Sequence, residues 1–469
     1  MSKGLDMAET GNRALACGLM MQQPRRAGLV TALVAASVLL AACSEREIIL
    51  PGKREPITAV LSGSDTETDA ETEVVEAADA PRDIQLPGQV ANADAGQGLG
   101  IQAFRTDNPQ LSTALNPVWA VNIGEGDSRK HRIVADPVVS GGRIFTLDAT
   151  TQVTAVSAGG GIIWQRDVLP DGADEDDATG GGMAAEGDVL YVTTGFGAIS
   201  ALDAATGATI WTQDLESTGS GRPAVFGDLV YVVSGDDTGW ALDKADGRIK
   251  WQTTAAESGS NVLGAPAPIV TDDLAVFAFG SGELQAVFRR GGLRRWDASV
   301  LGERKGRALS KIGDVTGQPI AADGMIYAGN QSGRTIAIDA SSGARVWTAN
   351  EGAIDTVLPV GGSVFLVSDR NVLLRLDGAD GSRIWGTELP NFVRDRPGRT
   401  AEVFAHHGPI LAGDRLIVVS SDGLLRSFDP VSGALTGTAD IPGGASTEAV
   451  VAGQTLYVVS RNGQLLAYR

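Results

Sequence analysis

Along most of this chain, apolar and polar residues alternate in runs of five or six, interrupted by polar turns. That pattern predicts short antiparallel strands joined by hairpins. One stretch shows the unit. Val189-Leu-Tyr-Val-Thr-Thr194 is rich in strand formers, Gly195-Phe-Gly197 turns it, and Ile199-Ser-Ala-Leu-Asp203 returns. The segment from Asp203 to Gly207 reverses the chain again, and Thr209-Ile-Trp-Thr-Gln213 closes a meander. The last turn and strand recur as Asp203…Gly207…Trp211, Asp243…Gly247…Trp251, Asp339…Gly343…Trp347 and Asp377…Gly381…Trp385, with weaker copies ending at Trp164 and Trp296. Asp429-Pro-Val-Ser-Gly433 keeps the turn but has Gly437 where the Trp stands elsewhere. Successive ends lie 38 to 52 residues apart, the period of a propeller blade rather than of a helical repeat.

A fourth, small and apolar strand precedes the three in each repeat, and Gly and Ala there suit a narrow neck where blades converge on an axis. Eight such inner strands are expected, near Pro137, Met183, Pro223, Pro268, Pro319, Val357, Pro409 and Ala449. The eighth repeat, from Thr447 to Arg469, has only three strands of its own. Pro117-Val-Trp119-Ala-Val-Asn122, far upstream, carries a Trp in outer-strand context and supplies the fourth. The fold class is therefore all-β: an eight-bladed β-propeller of four-stranded antiparallel blades over residues 116–469, closed by pairing its two ends, which leaves no open edge to the ring. The Trp ladder is structural, each ring able to bury roughly 150–250 Å² between blades. Trp240 is the exception, standing where other repeats place an aliphatic residue.

Ahead of Asn116 the composition changes. Arg25-Arg26, an apolar run from Ala27 to Leu40 and Leu40-Ala-Ala-Cys43 read as a signal peptide over residues 1–42 ending in a lipobox, with Met20 or Met21 as alternative starts. The run is too short for a membrane span. Cleavage would leave Cys43 to carry thioether-linked lipid and palmitate, and several acyl chains anchor stably where one does not. Residues 43–115 then form an acidic tether, expected to be disordered, with seven acids and no base between Ser62 and Ala80. Such a coil has an r.m.s. reach of roughly 40–50 Å.

Net charge is −19, which argues against nucleic acid and against electrostatic docking on anionic lipid. The dense cluster Asp171-Gly-Ala-Asp-Glu-Asp-Asp177 misses the spacing of a calcium-binding loop and reads as a solvated interblade loop. Three histidines are present, and the adjacent pair His406-His407 on a strand points to opposite faces, a poor chelate. Removal of Cys17 with the signal leaves no thiol nucleophile, and neither a nucleophile elbow nor a phosphate loop occurs. No catalytic residue, cofactor or metal ligand is expected.

The Asp-x-x-[Ser/Thr/Asp]-Gly-x-x-x-Trp repeats resemble the docking motif of the pyrroloquinoline-quinone propellers. That superfamily holds quinoprotein dehydrogenases, which use a quinone, Ca²⁺ and a vicinal cysteine pair, and the BamB family of lipoproteins of the outer-membrane β-barrel assembly machinery. This chain has no vicinal cysteines and resembles the BamB branch. The segment from Asn261 to Val287 is similar to that family's fourth blade, and Leu309-Ser310 with Asp314-Val315 to its partner-contact loop. Leu263 stands where enteric members have Arg, three residues separate Ser310 from Asp314, and Thr316 replaces an Asp. The resemblance implies an outer-membrane lipoprotein facing the periplasm: a non-enzymatic scaffold, monomeric within a hetero-complex. It would bind the periplasmic domains of BamA, alongside other assembly lipoproteins, through Val262, Leu263, Leu309, Ser310, Asp314 and Val315. Ser44, in place of an Asp, is consistent with outer-membrane sorting. The alternatives are a periplasmic quinoprotein oxidoreductase and an adaptor of another envelope complex.

Overall fold

The computed structural model describes residues 79–99, 105–217, 221–256, 265–302, 304, 313–394 and 402–469. The signal peptide, the lipobox and Cys43 lie outside these residues. What is described belongs to one compact unit, Glu76–Arg469.

Alternating patterns fold here as expected, into eight four-stranded antiparallel sheets arranged as a ring. Blades 1 to 7 are continuous, spanning 138–167, 181–214, 224–254, 269–299, 315–349, 358–388 and 406–440. Blade 8 takes its first three strands from 450–468 and its outer strand from Pro117–Asn122. That outer strand runs antiparallel to Gln464–Tyr468, with Trp119 opposite Ala467. Asn116 and Arg469 exchange both backbone hydrogen bonds at 3.0 and 2.9 Å, fastening the junction of the two distant segments.

The apolar core is divided among the junctions between blades rather than gathered at one centre. Eight buried clusters occur among the described residues, each drawn mainly from two neighbouring blades, such as Val138, Phe145 and Leu147 of blade 1 with Met183, Leu190 and Val192 of blade 2. At seven junctions an outer-strand Trp lies on the turn before the outer strand of the next blade, a turn that begins with Asp at five of them and with Ser157 or Phe288 at the other two. Trp211 Nε1 donates to Lys244 O at 3.1 Å, and a Cβ on Gly247 (φ +75°) would fall 2.5 Å from the indole. Trp385 does the same with Pro430 O, at 3.2 Å, and with Gly433. The Asp closes its own turn: Asp339 Oδ1 accepts from the amide and hydroxyl of both Ser341 and Ser342, and these bonds, the hydroxyls first, lower its carboxyl to about 2.

The eighth junction explains Gly437. Blade 8 has no turn between its third and outer strands, since these come from opposite ends of the sequence, so an indole at 437 would have nothing to dock on. Tyr468 serves instead, donating its hydroxyl to Asp440 O at 2.6 Å. Trp240 is buried between blades 2 and 3 and donates to Ser234 Oγ at 2.8 Å.

The expected tether boundary moves. Residues 79–115, assigned to the tether by composition, are laid over the ring wherever they are described, as a strap. The strap begins at the outer strand of blade 6, where Ala80 N donates to Ile384 O and Asp79 pairs with Arg383 at 3.1 Å. Buried Arg375 then grips it, donating to Arg82 O at 2.6 Å and Asp83 O at 3.2 Å, while Arg82 pairs with Asp377. Onward it meets blade 8 (Gly453 N to Asn92 O, 2.8 Å), blade 1 (Ala95 and Val139 exchanging two bonds of 2.9 Å) and blade 2 (Ala185 N to Gly96 O, 2.6 Å). In blade 3 the Gln97 amide exchanges bonds of 2.8 and 2.9 Å with the Val225 backbone. Arg105 donates to Ala321 O of blade 5, and Gly413 N of blade 7 donates to Pro109 O. These polar and backbone contacts, together with Ile84, Leu86 and Leu99 packed against the core and Leu111 buried between blades 7 and 8, hold the segment on a fixed path.

Candidate partner-binding face

The two ends of the ring differ. At one, the tips of the inner strands and the hairpins that follow them lie under the strap. At the other, connections between blades and the turns between second and third strands surround a cavity of about 700 Å³ on the axis, with Asp237, Gly280 and Gln331 from the turns and Ala265, Asp314 and Asp355 from the connections. The neck is tight, as the small residues there imply: a Cβ on Gly182 would sit 2.6 Å from Arg222 Cα of the next blade.

A charged septum crosses the channel. Arg222 pairs with Asp136, Asp136 Oδ1 accepts from Glu448 N at 2.9 Å, and Glu448 Oε1 accepts from Thr356 Oγ1 at 2.7 Å. The same three charged residues, Asp136, Arg222 and Glu448, also line a chamber of about 90 Å³ beneath the strap, so the septum divides the axis into an open and a covered part. Burial, followed by the nearby Asp355 charge, pushes the Glu448 carboxyl up to about 8. Burial likewise lowers Arg222, which the Glu448 and Asp355 charges oppose.

The sequence-derived contact residues divide. The connections between blades 3 and 4 and between blades 4 and 5 open on the cavity end at neighbouring positions, since Ala265, Pro266, Asp314 and Thr316 all line that cavity. Val262, Leu263, Leu309 and Ser310 lie outside the described residues. Asp314 and Val315 do not form an exposed acid and its neighbour: they are 4% and 3% exposed. Val315 begins the inner strand of blade 5, Val315–Ala322, four residues before the Pro319 that marks it in the sequence, and packs in the core between blades 4 and 5. Asp314 faces the channel. A residue the sequence did not single out, Arg304, fixes the second connection, donating to Asp369 at 3.0 Å and Glu351 at 3.2 Å across two blades.

The remaining candidates are structural. His406 is buried, bonded to Ser420 Oγ at 2.7 Å and Pro390 O at 2.8 Å, and burial lowers its pKa. His407 points the other way, into the channel, with Nδ1 3.2 Å from Asp355. In the acidic loop, Asp174 caps a single 3-10 turn, Glu175–Asp177, and Asp176 pairs with Lys130 at 2.6 Å. Among the described residues no group of three or more His, Cys, Asp or Glu is placed to hold a metal ion.

Comparison with known proteins agrees with this architecture. Residues 149–387 match the family model described as outer membrane protein assembly factor BamB. The curated BamB of Escherichia coli strain K12 is 29% identical over 371 residues, covering 76% of this chain and 89% of that protein. The crystal structure of BamB from Moraxella catarrhalis superposes with a TM-score of 0.62 at 19% identity, covering 76% of this chain and 100% of that one. That share is about what the ring occupies. A europium-containing methanol dehydrogenase reaches a TM-score of 0.57 at 14% identity over 78% of this chain, a likeness of fold alone. An eight-bladed ring docked by Asp, Gly and Trp, matched by this family model over half of its length, makes the chain a member of the BamB family of outer-membrane assembly factors.

Proposed function

We propose that the protein is a non-enzymatic scaffold of the β-barrel assembly machinery, tethered by lipid on Cys43 to the periplasmic face of the outer membrane, which holds the periplasmic domains of BamA and so assists insertion of β-barrel proteins. Family membership, with the family model matched over residues 149–387, carries this reading. The geometry supports a docking surface at the cavity end, because the opposite end is occupied by the strap and the two connections that resemble the family's contact loops lie side by side around the open mouth. Membrane attachment rests on the lipobox. Among the described residues no helix is long and apolar enough to cross a bilayer.

The decisive experiment is copurification of BamA with the native lipoprotein from detergent-solubilised membranes. Leu263→Asp combined with Leu309→Asp should weaken recovery of BamA by at least roughly 30-fold, about 2 kcal/mol, by placing charge at an apolar contact centre. The melting temperature should stay within about 1 °C of wild type. Asp314 is unsuitable for this purpose, since a reversal at a buried side chain would unfold its surroundings. Undiminished recovery with the ring intact would remove these connections from the interface. Copurification with a different envelope complex would favour the adaptor reading.

A further inference from the structure

One outer hairpin departs from the repeat. Where Asp203, Asp243, Asp339, Asp377 and Asp429 open the turn before the outer strand, blade 4 has Phe288-Arg-Arg-Gly-Gly-Leu293, followed by Arg294-Arg295. Four arginines fall within seven residues that include no acid, in a chain whose net charge is −19. Docking does not require the change. Trp251 Nε1 donates to Arg289 O at 3.0 Å and its ring lies against Gly292, as at the other junctions. The turn is closed by its backbone instead of a carboxylate, Phe288 N donating to Leu293 O at 2.8 Å and Gly292 N to Phe288 O at 3.0 Å.

The side chains of this turn divide between ring and solvent. Arg289 folds back, donating to Asp272 O at 3.1 Å with its guanidinium 4.7 Å from the centre of the Phe226 ring. Arg290, Arg294 and Arg295 are exposed, and among the described residues no carboxylate pairs with them. Leu293 is 71% exposed and Phe288 40%, and a Cβ on Gly291 would meet nothing within 4 Å, so the tip stands clear of the ring. On blade 3, by contrast, Arg248 and Lys250 are matched by Asp246 and Asp243. Exposed acids adjoin the turn at Asp272, Asp273 and Asp297. Arg289 N donates to Asp273 O at 2.9 Å, which sets the turn beside the inner hairpin of blade 4 and so at the strap end of the ring.

We propose that the turn from Phe288 to Arg295 is a membrane-contact element, in which Leu293 and Phe288 enter the headgroup layer of a bilayer while Arg290, Arg294 and Arg295 hold the phosphates of anionic phospholipid. The guanidinium fork matches phosphate oxygens, and an apolar tip ringed by cations is the composition of an interfacial contact. An acidic protein would answer the arginines, but a leucine projecting from a turn, with only Phe288 across from it, suits a soft headgroup layer better than a preformed pocket. The net charge of −19 opposes lipid docking by the ring as a whole, yet screening limits that repulsion to about 8 Å at physiological ionic strength, so the turn acts through its own charge. The inference rests on the reading as an outer-membrane assembly factor only for placing a bilayer nearby. It turns the strap end towards the membrane and leaves the cavity mouth facing the partner.

The test uses the full mature-length chain with Cys43→Ser, which carries no lipid, so the outcome is independent of the anchor. Sedimentation with vesicles of phosphatidylethanolamine and phosphatidylglycerol should show binding that vesicles of phosphatidylcholine lack, weakening steeply between about 50 and about 300 mM salt. Arg290→Gln with Arg295→Gln should lower the affinity about 25-fold, at about fivefold per arginine, whereas Arg129→Gln with Arg166→Gln, the same change of charge at exposed positions away from the turn, should leave it within about twofold. Leu293→Ser should cost about tenfold with little dependence on salt. Melting temperatures equal to wild type would show that each variant is folded. Equal binding to both kinds of vesicle, or equal loss in the two double variants, would overturn the proposal. So would a turn variant that keeps its vesicle affinity and loses the periplasmic domains of BamA, since the turn would then be a protein contact.

Discussion

Replacing Trp385 with Ala tests the central claim that the ring is held by indoles docked across blade junctions. Trp385 is 1% exposed, its Nε1 donates to Pro430 O at 3.2 Å, its ring lies 5.9 Å from Phe365, and Gly433 lies against its face. Truncating a fully buried Trp to Ala costs about 3–5 kcal/mol, including the cavity left behind. A ring of about 350 residues has an unfolding entropy near 0.74 kcal/mol/K at about 2.1 cal/mol/K per residue, so the melting temperature should drop by about 4–7 °C. Gly433→Ala should act on the same contact from the other side: a φ of +71° disfavours any Cβ by about 1–2 kcal/mol, and this one would fall 2.7 Å from the indole. Gly437→Trp is the control. Its Cβ would meet nothing within 4 Å and the next blade offers no turn to receive an indole, so calorimetry should place it within about 1 °C of wild type. A Trp385→Ala protein that melts with wild type, or a Gly437→Trp protein stabilised by several degrees, would refute the docking argument.

Three further outcomes are expected. Glu448 holds its proton to about pH 8 in the folded ring but loses it near 4.5 when unfolded, so the unfolded state binds fewer protons in this window and stability falls as pH rises through it. Glu448→Gln stays neutral and can still accept from Thr356, so its urea midpoint should exceed wild type by a margin that widens from pH 5 to pH 8.5; parallel curves would contradict the burial argument. Cys43→Ser should release a soluble form or leave an uncleaved precursor, and a variant with an unmodified amino terminus that stays with outer membranes in high salt would exclude the lipid anchor. Purified protein supplied with micromolar pyrroloquinoline quinone and Ca²⁺ should show neither bound quinone absorbance nor dye reduction with alcohols or sugars; either signal would revive the oxidoreductase reading.

The ring was legible because its determinants are local and repeated: an Asp that bonds its own turn, a Gly at positive φ and a Trp four residues on, with closure by Pro117–Asn122 following from a blade one strand short. The aromatic partner on the second strand was not singled out from the sequence: Phe145, Tyr191, Tyr231, Tyr327, Phe365 and Tyr457 each lie 5.9–6.0 Å from the Trp of their own blade. The strap was not legible. Its bonds run through backbone groups, Asn92, Gln97 and Arg105, and its packed apolar residues, Ile84, Leu86, Leu99 and Leu111, follow no strand or helix period, so the segment reads as disordered when its partners lie elsewhere in the chain. Asp314 and Val315 were named from the family resemblance, which carries no information about their burial. Bulges let the inner strand of blade 5 begin at Val315 and draw both residues towards the axis.

Because blade 8 joins the two ends of the folded region, the order in which the protein is made and the order in which it can close are opposed. Pro117–Asn122 leaves the ribosome among the first of the ring residues, yet its hydrogen-bonding partner, Gln464–Tyr468, comes last. Throughout synthesis of the intervening chain, Trp119 and a strand edge wait without their blade, and so does the start of the strap, whose partners Arg375 and Ile384 come late. Contacts of such sequence separation are slow to form and leave sticky edges exposed meanwhile. A nascent chain halted after residue 460 would hold seven complete blades and still be an open arc, with a strand finished long before left unpaired.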